Sequence, residues 1–267
     1  MNSDIYKKEE KEHYDFRYSG VKEYRYPSED DISTNDKVNI AARHYIEKKA
    51  FDIMNRLGKG EILDYGCATG EKTYRFASEN WRITGIDIST NSIKIANEIS
   101  TKNNNNSAFY EMDCENLEFE DNRFDIIYDF GTFSSIDMKK ALPEICRVMK
   151  PDGYVLSIET LGNNPLMKIK RRLNVLFGSR TRWASQHIMK IKDWEEYKSL
   201  FSEFEIRYFS LTTIYVSMFL RLIPKSKHYG LISFFDRIDV RLLKYRICQL
   251  FAFKTVAVMS NPVQDRV

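Results

Sequence analysis

Paired cysteines are missing from this sequence. Its four thiols, Cys67, Cys114, Cys146 and Cys248, are widely spaced. No CxxC pair and no Cys/His cluster of zinc spacing occurs, which predicts reduced thiols and no structural metal. No apolar run approaches the ~20 residues that cross a bilayer. The opening segment, MNSDIYKKEEKEHYD, has no apolar core and does not read as a secretory signal. The expected compartment is cytoplasmic. A net charge of +3 is too small to argue for nucleic acid. What is present is ordinary: 43% apolar and 30% charged residues, in a chain of 267 long enough to bury a core.

Residues 1–36 are charged and rich in tyrosine, with little periodicity. Residues 37–57 read as an amphipathic helix, with Val38, Ala41, Ala42, Tyr45, Ile46, Ala50, Ile53 and Leu57 on its apolar side. Gly58 and Gly60 end it. Strand and helix then alternate. EILDY, WRITGID, SAFYEMD, FDIIYDF and GYVLSIET read as strands. EKTYRFASE, TNSIKIANEIS and MKKALPEICRVMK read as helices between them. This rhythm predicts a doubly wound α/β sheet, with ligands at the carboxyl ends of its strands. Residues 161–192 break the rhythm. A helix at DWEEYKSLFSE and strands at FEIRYFSL and KTVAVMS follow, the strands separated by a long apolar and basic stretch at 211–253.

The loop after the first strand, ILDYGCATGEKT, decides among ligands. A phosphate-binding loop needs Lys and then Ser or Thr after its second glycine. Here Glu71, Lys72 and Thr73 follow Gly70, so the spacing is wrong. A dinucleotide turn needs three glycines in a GxGxxG frame. Only Gly66 and Gly70 fit. S-adenosylmethionine carries no phosphate and asks instead for carboxylates. Asp64, Asp87 and Asp113 each end one of three consecutive strands. Asp87 lies 17 residues past Gly70, near the ~20 expected of a ribose-binding acid.

ILDYGCATG, TGIDIS, DCENLEFEDNRFDIIYDFGTFSSI and EICRVMKPDGYVLSIE, in that order and spacing, resemble the successive motifs of class I S-adenosylmethionine-dependent methyltransferases, of the type 11-like kind. The similarity runs over about residues 37–160 and continues at 193–210 and 254–260. It implies a Rossmann-like seven-stranded sheet with its last strand antiparallel, a helical lid at 1–36, and a methyltransferase domain at 37–267 whose helical insertions, 161–192 and 211–253, cap the acceptor side. By this resemblance Asp64, Gly66, Cys67, Ala68 and Gly70 line the methionine end of S-adenosyl-L-methionine, and S-adenosyl-L-homocysteine is the product. Asp87 and Ile88 hold the ribose and pack on the adenine. Asp113, Cys114 and Glu115 meet the adenine edge, Cys114 through its backbone N–H. Tyr128, Asp129 and Phe130 lie beneath the methyl group. Tyr14 or Tyr18 closes over the methionine carboxylate. Ala68 stands where the family usually has glycine, a change that is disfavoured if its φ is positive.

The acceptor is less legible. No [DNS]PP[YF] segment follows the fourth strand, which disfavours DNA and glutamine as substrates. Histidine is the default base, and His187 is the leading candidate, with His13 and Tyr14 next. Residues 161–192 carry eight Lys and Arg and no Asp or Glu, which suits an anionic acceptor or surface. The expected reaction is methylation of O or N on a small molecule or a glycan- or lipid-linked precursor. The alternatives are a tRNA or protein substrate, or a non-catalytic cofactor-binding subunit. Nucleic acid is disfavoured, peripheral membrane contact through 211–253 stays open, and the assembly is a monomer or a homodimer.

Overall fold

In the computed structural model, residues 3–19, 39–104, 106–177 and 181–263 are described. Val38, Asn105 and Arg180 lie outside them, as do all of residues 20–37, which hold the rest of the expected lid. Seven strands form one sheet: β1 (Gly60–Tyr65), β2 (Trp81–Asp87), β3 (Ser107–Glu111), β4 (Phe124–Asp129), β5 (Met149–Thr160), β6 (Phe201–Phe209) and β7 (Lys254–Pro262). The order is β3-β2-β1-β4-β5-β7-β6, and β7 runs antiparallel to both of its neighbours. The expected Rossmann-like architecture is the one found. The strand order reverses between β1 and β4, so their carboxyl ends open a crevice there.

The sheet is buried on both faces, as parallel sheets are. On one face α2 (Ile40–Leu57) sets Ala42, Ile46, Ala50 and Ile53 against Ile62, Ile126, Tyr128 and Leu156. On the other, α4 (Met138–Val148) packs Ala141, Leu142 and Ile145 with Leu63, Ile127 and Val155. α3 (Thr90–Asn103) begins at Ser89, whose hydroxyl accepts the Ser92 N–H at 3.2 Å. Its Ile93 and Ala96 cover Phe109.

The helix expected at 71–79 is only a single 3-10 turn, Tyr74–Phe76. Thr, Tyr and Phe are weak helix formers, and tertiary demands decide here. The Thr73 hydroxyl donates to Asp64, and Phe76 is buried edge-on to Phe51 and Tyr128. The N-terminal segment, aperiodic in hydropathy, forms a 16-residue helix, α1 (Ser3–Tyr18), that lies across the carboxyl ends of β2 and β3. Lys11 reaches the Ile88 carbonyl at 2.8 Å and Glu111 at 2.5 Å, and Asp15 accepts from Ser89.

After β5 come α5 (Pro165–Leu176), α6 (Arg182–Gln186) and α7 (Ile191–Lys198). After β6 come α8 (Thr213–Phe219), α9 (His228–Leu242) and α10 (Arg246–Gln249). Ile214 of α8 packs on Met167 of α5, and Tyr215 meets Asn164. Residues 211–253 thus pack on the domain through α5. Among the described residues no helix is long and apolar enough to cross a membrane.

One buried bond ties the first strand to the loop after β3: the Tyr65 hydroxyl donates to the Cys114 carbonyl. Tyr65→Phe leaves that buried carbonyl without its donor, at a cost of ~1–3 kcal/mol. Urea unfolding should register that loss, and hydrogen exchange should speed up at the Glu115 and Asn116 amides. Unchanged stability with unchanged exchange would show that the bond does not hold the loop.

Candidate functional site

A cavity of about 260 Å³ opens at the crevice between β1 and β4. Its floor is the turn after β1. Gly66, Ala68 and Gly70 all have positive φ, at 71°, 47° and 74°. A β-carbon on Gly66 would run into the Thr132 side chain, and one on Gly70 would meet the Phe109 ring at 2.7 Å. Ala68 therefore holds the left-handed conformation that makes alanine costly in place of glycine, at ~1 kcal/mol.

The carboxylates organise this turn. Asp64 is buried, accepts from the Thr73 hydroxyl, and is pushed up to about 7, chiefly by burial and also by Asp87 and Asp129 nearby. Asp87 accepts the Ala68 N–H and the Ser89 N–H, each at 2.9 Å, and burial raises its carboxyl too. Asp113 accepts the Glu115 N–H at 2.8 Å on one oxygen and the Lys7 ammonium at 2.5 Å on the other. Burial holds the Cys67 and Cys114 thiols well above their ordinary range, so both stay protonated and unreactive.

Most of the residues anticipated from the sequence meet in this cavity. Asp64, Gly66, Cys67, Ala68, Asp87, Ile88, Asp113, Cys114, Glu115 and Phe130 line it, as do Tyr14 and Tyr18 of α1. Gly70 closes the turn through its N–H to the Cys67 carbonyl at 2.8 Å instead of lining the cavity. Tyr128 does not reach the cavity. It points to the α2 face of the sheet, buried against Phe76. Asp129 also turns away, accepting from Ser157 at 2.6 Å and from the Thr132 N–H at 2.8 Å, and so shapes the loop after β4. His13 packs edge-on to Tyr14 outside the lining.

His187 departs furthest from expectation. Its exposed ring stacks on Trp183 at 3.6 Å, and Trp183 stacks on Tyr6 at 3.8 Å. Tyr6 lines the cavity, so two ring planes stand between His187 and that space. His187 instead faces a separate open cleft beside Asp137 and Lys190. As placed, it cannot take a proton inside the donor cavity.

Sequence reading missed Tyr6, Lys7, Glu10 and Arg17 of α1, and Lys72, Thr132 and Ser135. Tyr6, Glu10 and Tyr14 recur every four residues, which was a usable signal. It is invisible to hydropathy because the stripe mixes aromatic and charged side chains. Glu115 is buried and accepts from the Tyr6 hydroxyl and from the Asp137 N–H, with Lys7 paired to it at 2.8 Å.

The residues fit S-adenosylmethionine. Glu10, Asp64, Asp87, Asp113 and Glu115 outnumber Lys7, Arg17 and Lys72 around the cavity, which suits a ligand carrying a sulfonium and an ammonium. The tight turn brings backbone close to the ligand, and Phe130 and Ile88 supply apolar contact.

A family model described as a methyltransferase domain matches residues 58–205. A demethylmenaquinone methyltransferase of Staphylococcus haemolyticus (strain JCSC1435) is 30% identical over 162 residues, covering 54% of this chain and 66% of that protein. The chain thus spans just under two thirds of that relative. The protein of the same name from Staphylococcus carnosus (strain TM300) is 29% identical over 194 residues, covering 64% and 79%. Among solved structures, geranyl diphosphate C-methyltransferase from Streptomyces coelicolor A3(2) aligns over 98% of both chains, with a TM-score of 0.57 and 14% identity. Phosphoethanolamine N-methyltransferase 2 of Haemonchus contortus aligns over 87% of this chain and 60% of its own, with a TM-score of 0.55 and 19% identity. These two likenesses are likenesses of fold.

Two outcomes are expected of the cavity. Asp87→Ala removes a buried, charge-assisted acceptor and should weaken S-adenosylmethionine binding by ~1.5–3 kcal/mol in calorimetry. An unchanged affinity in a folded variant refutes the assignment. The second outcome concerns pH. Because the folded state holds the Asp64 proton up to about 7, the ligand-free chain loses stability as pH rises from the ordinary carboxylate range towards 7. Affinity for the cationic donor should rise over the same window, by up to ~10-fold per pH unit, and level off above it. Asp64→Asn should flatten that profile. A wild-type profile that is already flat would exclude Asp64 as a partner of the cation.

Proposed function

We propose an acceptor class for this chain, which belongs to the methyltransferase-domain family and draws its methyl group from S-adenosylmethionine. The acceptor is a small, lipophilic or lipid-linked molecule, methylated on O or N. It packs against the wall that α1 builds with the start of α6. The observation that carries this reading is the wall on that side. Tyr6 and Glu10 line the donor cavity from α1, and both are anchored to the start of α6, Tyr6 on the Trp183 ring and Glu10 through the Thr181 hydroxyl. An aromatic wall with one buried carboxylate suits an acceptor that is mostly apolar and must lose one proton.

S-adenosylmethionine supplies an electrophilic methyl group when bound, so the protein's work is alignment, exclusion of water and proton removal. The turn at Gly66–Gly70 and the loop at Phe130–Thr132 orient the donor. α1 covers it, with Tyr14 and Tyr18 turned inward. Glu10 is the proposed proton acceptor, and Tyr14 lies beside it on the same stripe of α1.

A second reading is favoured by the relatives, both named demethylmenaquinone methyltransferases. In it the methyl group goes to a ring carbon of a reduced, hydroquinone-type acceptor, Glu10 takes the proton of the ring hydroxyl, and the proton displaced from the methylated carbon returns to that oxygen as the ring regains its aromaticity. Purified protein given labelled S-adenosylmethionine with chemically reduced demethylmenaquinone, and separately with phenols and amines, discriminates the two once the methyl position is found by NMR. No labelled product from any of them leaves the non-catalytic subunit as the better description.

Glu10→Gln should cut turnover by ~100- to 10,000-fold, as loss of a general base does, with donor affinity nearly unchanged. His187→Ala should leave turnover close to that of the unmodified protein. The opposite pair of results moves the acceptor to the His187 cleft. No group of His, Cys, Asp and Glu able to hold a metal occurs among the described residues. EDTA is therefore expected to leave turnover intact, and a loss restored by a divalent ion would contradict that.

A further inference from the structure

Beyond α6 from the donor cavity lies a second, open cavity of about 760 Å³. Lys168, Arg171 and Arg172 reach it from α5, Arg182 from α6, and Lys190 from the residue before α7. Among the described residues no acidic side chain lines it. Among the described residues, Lys168, Arg172, Arg182 and Lys190 enter no salt bridge. Arg171 forms the base of the cavity. It is buried, and its guanidinium donates to the Leu161 carbonyl at 3.1 Å.

The same helix presents an apolar edge to solvent. Ile169 is 59% exposed, Leu173 47%, Leu176 78% and Phe177 82%. Their spacing, i, i+4, i+7 and i+8, gathers them into one stripe at about 100° per residue. Lys168 and Arg172 border the stripe on one side and Lys170 on the other. Leu176 belongs to both features, since it also lines the basic cavity beside Val175 and Ile188. Unpaired positive charge and exposed apolar surface therefore meet at one place on the molecule.

We propose that this face of α5 docks on an anionic lipid surface, with a lipid headgroup phosphate in the basic cavity and Leu176 and Phe177 in the acyl boundary. A helix with an apolar stripe bordered by cations lies stably in such an interface, and each cation near it adds attraction to anionic lipid. A second copy of this chain fits less well. A two-fold contact sets a surface against its own image, and here that would oppose two sets of positive charge. The inference stands apart from the choice of acceptor, because its readout is partition and not methyl transfer.

The test is co-sedimentation of the full chain with vesicles of phosphatidylcholine alone and of phosphatidylcholine mixed with phosphatidylglycerol. At low salt, partition should be at least ~10-fold greater into the anionic vesicles, and the difference should shrink at high salt. The pair Lys168→Glu and Arg172→Glu should abolish the preference for anionic vesicles. The pair Leu176→Ser and Phe177→Ser should lower partition by ~10-fold, since burial of each apolar side chain is lost. All four positions are exposed, three in α5 and Phe177 directly after it, so thermal melting of the variants should match the unmodified chain, which separates lost docking from lost folding. Arg171 is left intact for the same reason. Equal partition into both vesicle types overturns the proposal, as does anionic partition that survives the charge reversals. Inorganic pyrophosphate is the third probe. If it raises the melting temperature while no vesicle binding occurs, the cavity serves a free phosphate compound and the lipid assignment fails. A dimer that depends on Leu176 and Phe177, without vesicle binding, overturns it equally.

Discussion

Two carboxylates are held side by side, at the ends of β1 and β2, without a basic partner supplied by the sheet. Their hydrogen bonds come from what the turns offer, the Thr73 hydroxyl for Asp64 and the Ala68 and Ser89 N–H groups for Asp87, with attraction from Lys72 and Lys11 added to them. That is enough to fix their positions but not to remove the cost of charging them. Asp64 is pushed up to about 7 from an ordinary value of 3.8, so ionising it inside the fold costs about 4 kcal/mol. A ligand bearing positive charge recovers much of that cost. The site is thus tuned to a cation before any ligand contact is considered. The positive φ at Gly66, Ala68 and Gly70 follows from the same constraint, since only a tightly coiled turn aims the Ala68 N–H at Asp87. Ala68 shows how strong the constraint is. The turn imposes the left-handed conformation even on a residue that resists it.

This constraint was legible in the sequence because it is local. Each Asp stands at or just beyond the carboxyl end of a strand, and the glycines stand at fixed offsets. What failed to show was set by long-range packing. Tyr128 and Asp129 are neighbours on a strand buried on both faces, so no hydropathy alternation says which way either points. Only the sheet register, which aligns Tyr128 with Asp64 and Leu156, places the ring on the α2 side. The 71–79 segment reads as a helix by elimination, yet Thr73 and Phe76 are drawn to opposite tasks within four residues. The tasks are a hydrogen bond to Asp64 and a place in the core. His187 was chosen by residue type and loop position. It was displaced by Trp183, four residues earlier, whose ring occupies the space between it and α1.

The aperiodic N-terminus teaches a related lesson. α1 has few apolar residues to bury, and its attachment is electrostatic. Lys7 pairs with Asp113 and Glu115, Lys11 with Glu111, and Asp15 accepts from Ser89 and Asn91. Exposed pairs of this sort are individually weak. Lys7 is different, since its partner Glu115 is buried and also accepts from Tyr6. The helix is therefore pinned most firmly near its start, beside the buried Glu115 carboxylate, and more loosely towards Asp15. A cover anchored at one end by charge can pass a ligand at the other without losing its register.

The small net charge conceals a separation. Acidic side chains crowd the donor cavity, while Lys168, Arg171, Arg172, Arg182 and Lys190 surround the cavity beyond α6. α6 is only five residues long, and it serves both. Thr181 and Trp183 face α1, while Arg182, Ser185 and Gln186 face the basic cavity. Adjacent residues of one short helix thereby border two spaces of opposite charge. The acidic side favours a cationic ligand and the basic side an anionic one, so one thin wall separates two opposite electrostatic preferences.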